Sequence, residues 1–114
     1  MTLVRRDTAS KSAAPVTAVA ATIPALLEEI QDDLLATATE RREAHTTDVE
    51  TLDEALAATT DGFARIPWSV VADGDGEATL RAQGVTVRCL RLPDGSPPTT
   101  DDDPHTIAVV ARAY

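Results

Sequence analysis

Ile23, Leu26, Leu27, Ile30, Leu34 and Ala38 recur at helical spacing and draw one apolar stripe along a single long segment. The pattern predicts a helix over residues 22–44. Thr22 is placed to cap its start, and Pro24 falls in the first turn, where a missing N–H costs little. Glu28 and Glu29 lie toward the positive end of the helix dipole, Arg41 and Arg42 toward the negative end. At about 1.5 Å per residue such a helix is roughly 30 Å long. That is long for one small domain and suits a connector between domains. Leu27, Ile30 and Leu34 are then expected to pack on whatever layer follows.

The chain has 114 residues, room for one domain of ordinary size. With 43% hydrophobic and 25% charged residues it is expected to fold. Phe63, Trp68 and Tyr114 are the only aromatics, so the core must be built from Leu, Val, Ile and Ala. Ten basic against nineteen acidic residues give a net charge of -9. This excludes nucleic-acid binding over the whole surface, which needs clustered positive charge, but leaves a local basic edge open. No apolar run is long enough to span a membrane. Arg5, Arg6 and Lys11 among Ser, Thr and Ala faintly suit a transit peptide, but Asp7 opposes that and residues 2–4 read better as a strand.

That strand, residues 2–6, is followed by a polar, turn-like stretch to Ala14, so it needs a sheet from further along the chain or from a domain not present. After the long helix, Thr51-Leu-Asp-Glu54 is a capping box that opens a short helix to about Ala58. Residues 63–69 read as a strand whose Pro67 belongs at a sheet edge. A turn at 73–77 leads into a helix over 77–83, and Gly84 stands where a left-handed cap is wanted. Val85, Val87 and Cys89 alternate with polar residues as in a half-buried strand. A Pro- and Asp-rich loop, 93–105, precedes a last strand from Thr106, with Ile107, Val109 and Ala111 on one face. The expected fold class is α/β: a long N-terminal connector helix packed on a small α/β domain with a mixed sheet.

Little chemistry is legible from these residues. His45 and His105 are sixty positions apart, Cys89 is the sole cysteine, and neither a disulfide nor a cysteine-rich zinc site can form within the chain. Asp73-Gly-Asp-Gly-Glu77 starts like a calcium loop, but Ala, Thr, Leu and Arg fill the later ligand positions, which makes it a plain turn. Asp101-Asp-Asp103 reads as a solvated run. No glycine-rich phosphate loop and no nucleophile beside a base is present. Arg5, Arg6 and Lys11 form a basic cluster that is either an edge-strand gatekeeper or a set of RNA-phosphate contacts. Cys89, alternating with valines, is expected to be a buried, inert thiol.

Several stretches together carry a resemblance. They are Val4-Arg-Arg-Asp-Thr8 with Lys11, Leu26-Leu-Glu-Glu-Ile-Gln-Asp-Asp-Leu-Leu35, Glu40-Arg-Arg-Glu43, Gly62-Phe-Ala-Arg-Ile-Pro-Trp68, Thr86-Val-Arg-Cys-Leu90 and Ala111-Arg-Ala-Tyr114. In order and spacing they resemble the C-terminal end of proline–tRNA ligases of the archaeal/eukaryote-like type, a class II synthetase family. The resemblance implies that residues 1–20 hold the last strand of an anticodon-binding domain plus a linker. It implies that residues 21–114 are the family's C-terminal α/β domain, opened by helix 22–44. The family activates proline with ATP and transfers it to tRNA(Pro). Its catalytic signatures have no counterpart here, so a structural and docking module, inactive alone, is implied; the alternative is a free-standing accessory domain that binds protein or tRNA. The implied partners are tRNA(Pro) and the catalytic and anticodon-binding domains of a homodimeric, cytoplasmic parent that uses ATP. Many members hold zinc with four cysteines; Ser69 stands where one is common, and zinc is not expected. The family's C-terminal carboxylate approaches the active site, which points to Tyr114.

Overall fold

The computed structural model describes residues 1–100 and 102–113, in two compact units, Met1–Arg42 and Glu43–Tyr114. In the first unit, strand β1 (Thr2–Val4) pairs antiparallel with β2 (Lys11–Ala13). The Arg5 N–H donates to the Ser10 carbonyl at 2.9 Å and the Ala14 N–H to the Met1 carbonyl at 2.9 Å, which closes the hairpin at both ends. Ala9 takes a positive φ of 58° in the turn. The strand that was expected to need an outside sheet therefore finds its partner in the next dozen residues. Its partner was hidden because Lys11-Ser-Ala13 has no apolar alternation and is exposed throughout. β1 alone is no argument for a missing sheet.

A single 3₁₀ turn, Val16–Ala18, leads into helix α1 (Val19–Ala44). The helix starts three residues before the expected position, so Thr22 is not its cap. The Thr22 hydroxyl instead donates to the Ala18 carbonyl at 2.9 Å, one turn back. Pro24 lies inside the helix, where its missing N–H removes a bond to the residue four before it. No residue of α1 is buried. Leu26 and Ile30 are half-buried, whereas Leu27 is 59% and Leu34 51% exposed. The apolar stripe is real as a pattern, and within its own unit it is covered only at Leu26 and Ile30.

The second unit is built on a four-stranded sheet of order β3-β4-β6-β5. Strand β3 (Thr46–Asp48) runs parallel to β4 (Phe63–Pro67); β6 (Ile107–Arg112) is antiparallel to β4 and to β5 (Val85–Arg91). The sheet is mixed, as expected. Helices α2 (Leu52–Ala58), α3 (Trp68–Ala72) and α4 (Gly76–Ala82) accompany it. The core is aliphatic: Ala55, Ala64, Ile66, Val71, Leu80, Val85, Ala108 and Val110 are buried together. The capping box of α2 is present in full, with the Glu54 N–H donating to the Thr51 hydroxyl at 3.3 Å and the Thr51 N–H to the Glu54 carboxylate at 3.2 Å. Gly84 has φ +76°, as a left-handed cap requires.

One strand was not foreseen, and two local expectations fail, for identifiable reasons. β3 is only three residues long, Thr-Thr-Asp, too short and polar to show a strand period. The strand expected over 63–69 stops at Pro67, because Trp68 opens α3 and its N–H donates to the Thr106 carbonyl at 2.9 Å. β4 lies between β3 and β6, but β3 ends opposite Arg65, so Pro67 stands past it on an open side of the sheet and pairs only with Ile107. β5 steps two residues, Val87 to Cys89, while β6 steps one, Val110 to Val109. This bulge breaks the alternation, brings Leu90 against the core and leaves Cys89 exposed, contrary to the buried thiol expected.

Candidate functional site

The amino-terminal basic cluster splits into two kinds of side chain. Arg5 follows β1 and faces three carboxylates: Asp7 at 2.6 Å, and Glu29 and Asp33 of α1, each at 2.6 Å. Glu29 and Asp33 are one helical turn apart, so both reach the same guanidinium. Its side chain is only 10% exposed. The hydrogen bond to Asp7 first, then that to Asp33, raises the Arg5 pKa, and Asp7 is in turn held below the ordinary carboxylate range, chiefly by Arg5. Arg5 therefore ties hairpin to helix within this unit. Arg6 and Lys11 are exposed on the same hairpin.

In the second unit, two arginine groups were not singled out from the sequence. Arg65 on β4 grips Asp48 of β3 with its Nε at 2.6 Å and its Nη2 at 3.3 Å, and Glu43 with its Nη1 at 3.1 Å. The parallel register sets Asp48 beside Arg65, a pairing invisible until β3 is known. The second group is Arg88 and Arg112. Arg88 sits in the β5 bulge and donates to the Arg112 carbonyl at 2.9 Å; Arg112 donates to the Gln83 carbonyl at 3.2 Å. Both line a groove with Gly62, Phe63 and Ala111. Only the Arg-Cys-Leu and Ala-Arg-Ala segments hinted at them, as parts of the resemblance. The strand beyond Arg112 is anchored by the Ala113 N–H, which donates to the Gly84 carbonyl at 2.7 Å. Tyr114 lies outside the described residues.

No family model matches the chain. Curated proteins do match it, over its whole length. It is 50% identical over 115 residues to a proline–tRNA ligase of Frankia alni, a match that covers 100% of this chain and 24% of that protein. It is 47% identical to proline–tRNA ligase 2 of Streptomyces avermitilis, over 98% of this chain and 24% of that protein. The matched part is the C-terminal region. The chain is thus similar over its whole length to the C-terminal region of proline–tRNA ligases. It spans about a quarter of the length of these relatives. A crystal structure of prolyl-tRNA synthetase from Cryptosporidium parvum, complexed with halofuginone and AMPPNP, shares the fold with a TM-score of 0.73 at 21% identity, over 99% of this chain and 25% of that one.

The positions where the resemblance would place a zinc site hold other groups. Ser69 lies exposed in the first turn of α3, and Cys89 is exposed on β5. The loop after β5 is closed by its own polar groups. The Ser96 hydroxyl and N–H donate to Asp94 at 2.6 and 2.9 Å, and the His105 N–H donates to Asp103 at 2.9 Å. The Ser96 hydroxyl holds the Asp94 carboxyl below its ordinary range. Among the described residues no three His, Cys, Asp or Glu side chains are grouped as metal ligands. The residues present do not fit zinc. Nor do the acidic turn 73–77 or the two histidines form such a group.

Proposed function

We propose that this sequence is the C-terminal part of a proline–tRNA ligase, serving as a structural and docking module of an enzyme that makes prolyl-tRNA from ATP, proline and tRNA(Pro). The observation that carries this reading is the match over the entire chain, at up to 50% identity, to one region of a larger ligase. A free-standing accessory domain has no observation in its favour. In this reading the hairpin β1–β2 and residues up to 20 end the anticodon-binding domain, and residues 21–114 form the C-terminal domain. The parent is a cytoplasmic homodimer that supplies the ATP and proline sites. No helix here is long and apolar enough to cross a membrane. Arg6 and Lys11, exposed on the hairpin, contact tRNA phosphates; Arg5, engaged by three carboxylates, backs the hairpin that presents them. The Tyr114 carboxylate reaches toward the parent active site, where a fixed anion orients a cationic group. Proline-dependent exchange of pyrophosphate into ATP by the isolated chain tests the module reading: the expected rate is background. A rate above background that survives repurification contradicts it.

A further inference from the structure

The second unit is acidic, yet Arg88 and Arg112 meet no carboxylate within ion-pair range among the described residues, whereas Arg5, Arg65 and Arg81 all do. Both residues are exposed, and the guanidinium of each donates one hydrogen bond to a backbone carbonyl. A carbonyl orients a guanidinium without cancelling its charge, and each arginine keeps donors to spare. Arg88 occupies a β-bulge, a device that re-aims a side chain out of the ladder. Between them opens a groove of about 460 Å³ with Phe63 on its wall. Phe63 is 40% exposed, and on β4 it alternates with the buried Ala64 and Ile66, so its ring lies on the face away from that core. Two oriented positive charges beside an exposed aromatic face are the elements of single-stranded nucleic-acid binding: cations for successive phosphates, a ring on which a base stacks.

We propose that the groove formed by Phe63, Arg88 and Arg112 binds an unpaired nucleotide segment of RNA, with Arg88 and Arg112 on phosphates and Phe63 under a base. The proposal rests on the ligase reading only for the source of that RNA, a tRNA. Unpaired RNA suits the site better than duplex, because a base must leave its stack to lie on Phe63.

The test uses the whole chain carrying Arg6→Ala and Lys11→Ala, so that the hairpin cations do not enter. The probe is a fluorescein-labelled ten-nucleotide oligouridylate, followed by anisotropy from 50 to 200 mM salt. Two phosphate contacts predict a slope of log affinity on log salt near about -1.4. Arg112→Ala is expected to bring it to about -0.7, and the double change Arg88→Ala, Arg112→Ala to abolish binding. Phe63→Leu is expected to keep the slope and weaken binding about five-fold or more. Amide shift mapping on the unaltered chain adds a reading free of folding effects: shifts are expected at Phe63, Arg88 and Arg112. Absence of binding, binding unchanged in the double variant, or shifts confined to residues 5–11 overturns the proposal. None of these outcomes touches the ligase reading, which is tested by exchange of the module itself.

Discussion

At the scale of single residues, the capping box of α2 shows how a short sequence signal becomes stability. Hydrogen bonds from the backbone N–H groups of Glu50 and Thr51 hold the Glu54 carboxyl below its ordinary value of 4.5. The folded value is thus lower than the unfolded one. Its stabilisation is complete above about pH 4.5 and fades as pH falls through the folded value. Glu54→Gln is expected to lower the neutral part of a urea-midpoint-versus-pH curve and to change its acid end little, which flattens the acid limb. Thr51→Ala, which removes the reciprocal cap, is expected to cost about 1 kcal/mol at every pH. This box was legible in four consecutive letters because all its partners are local. Cys89 was not: its exposure follows from a bulge set by the strand beside it, and alternation in one strand cannot report the register of another. Tyr114 tests differently. Its deletion is expected to cost the isolated chain at most about 1 kcal/mol. In a full ligase ending in this chain, the same deletion is expected to lower proline activation by more than that loss explains. Activation at the parental level contradicts the assignment.

Among elements, the contrast lies between helices that differ in what they bury. Leu80 of α4 is 1% exposed inside the sheet–helix core, while Leu27 of α1 is 59% exposed. Leu80→Ala is expected to cost about 2–5 kcal/mol in urea unfolding, as large-to-small core changes do. Leu27→Ala is expected to cost about 0.5 kcal/mol or less. Equal shifts would show the burial to be misassigned. Periodicity located α1 correctly but could not say whether its stripe has a partner, because a stripe written for a neighbouring element looks the same as one written for the chain's own core. Short elements failed in the opposite way. β2 and β3 are strands by virtue of their neighbours' backbone groups, and three residues without a large apolar side chain carry no period of their own. Gly76 could be read only as part of a turn, yet a Cβ there would sit 2.5 Å from the Val71 carbonyl oxygen. Glycine is what lets α3 hand over to α4 so closely.

At the scale of the whole molecule, aliphatic packing holds the second unit together. The sheet–helix core of Ile66, Val71, Leu80, Val85 and Val110 is aliphatic, and polar turns at Asp94–Ser96 and Asp103–His105 close the loop beside it. EDTA is therefore expected to leave the thermal midpoint unchanged, and elemental analysis to find less than stoichiometric zinc; a fall in the midpoint that zinc restores would contradict this. The fold class and the link to the ligase were legible because several short matches fell in one order along the chain. The groove at Arg88 and Arg112 was not, because it needs the bulge, the strand order and the exposure of Phe63 together. The central claim is that this chain is a working C-terminal part of a proline–tRNA ligase. The most direct test replaces the corresponding 24% of the Frankia alni ligase with this chain and measures prolyl-tRNA formation. The account predicts charging within a few-fold of the parent and well above the same ligase with that part removed. A folded chimera that charges no better than the truncated enzyme would contradict it.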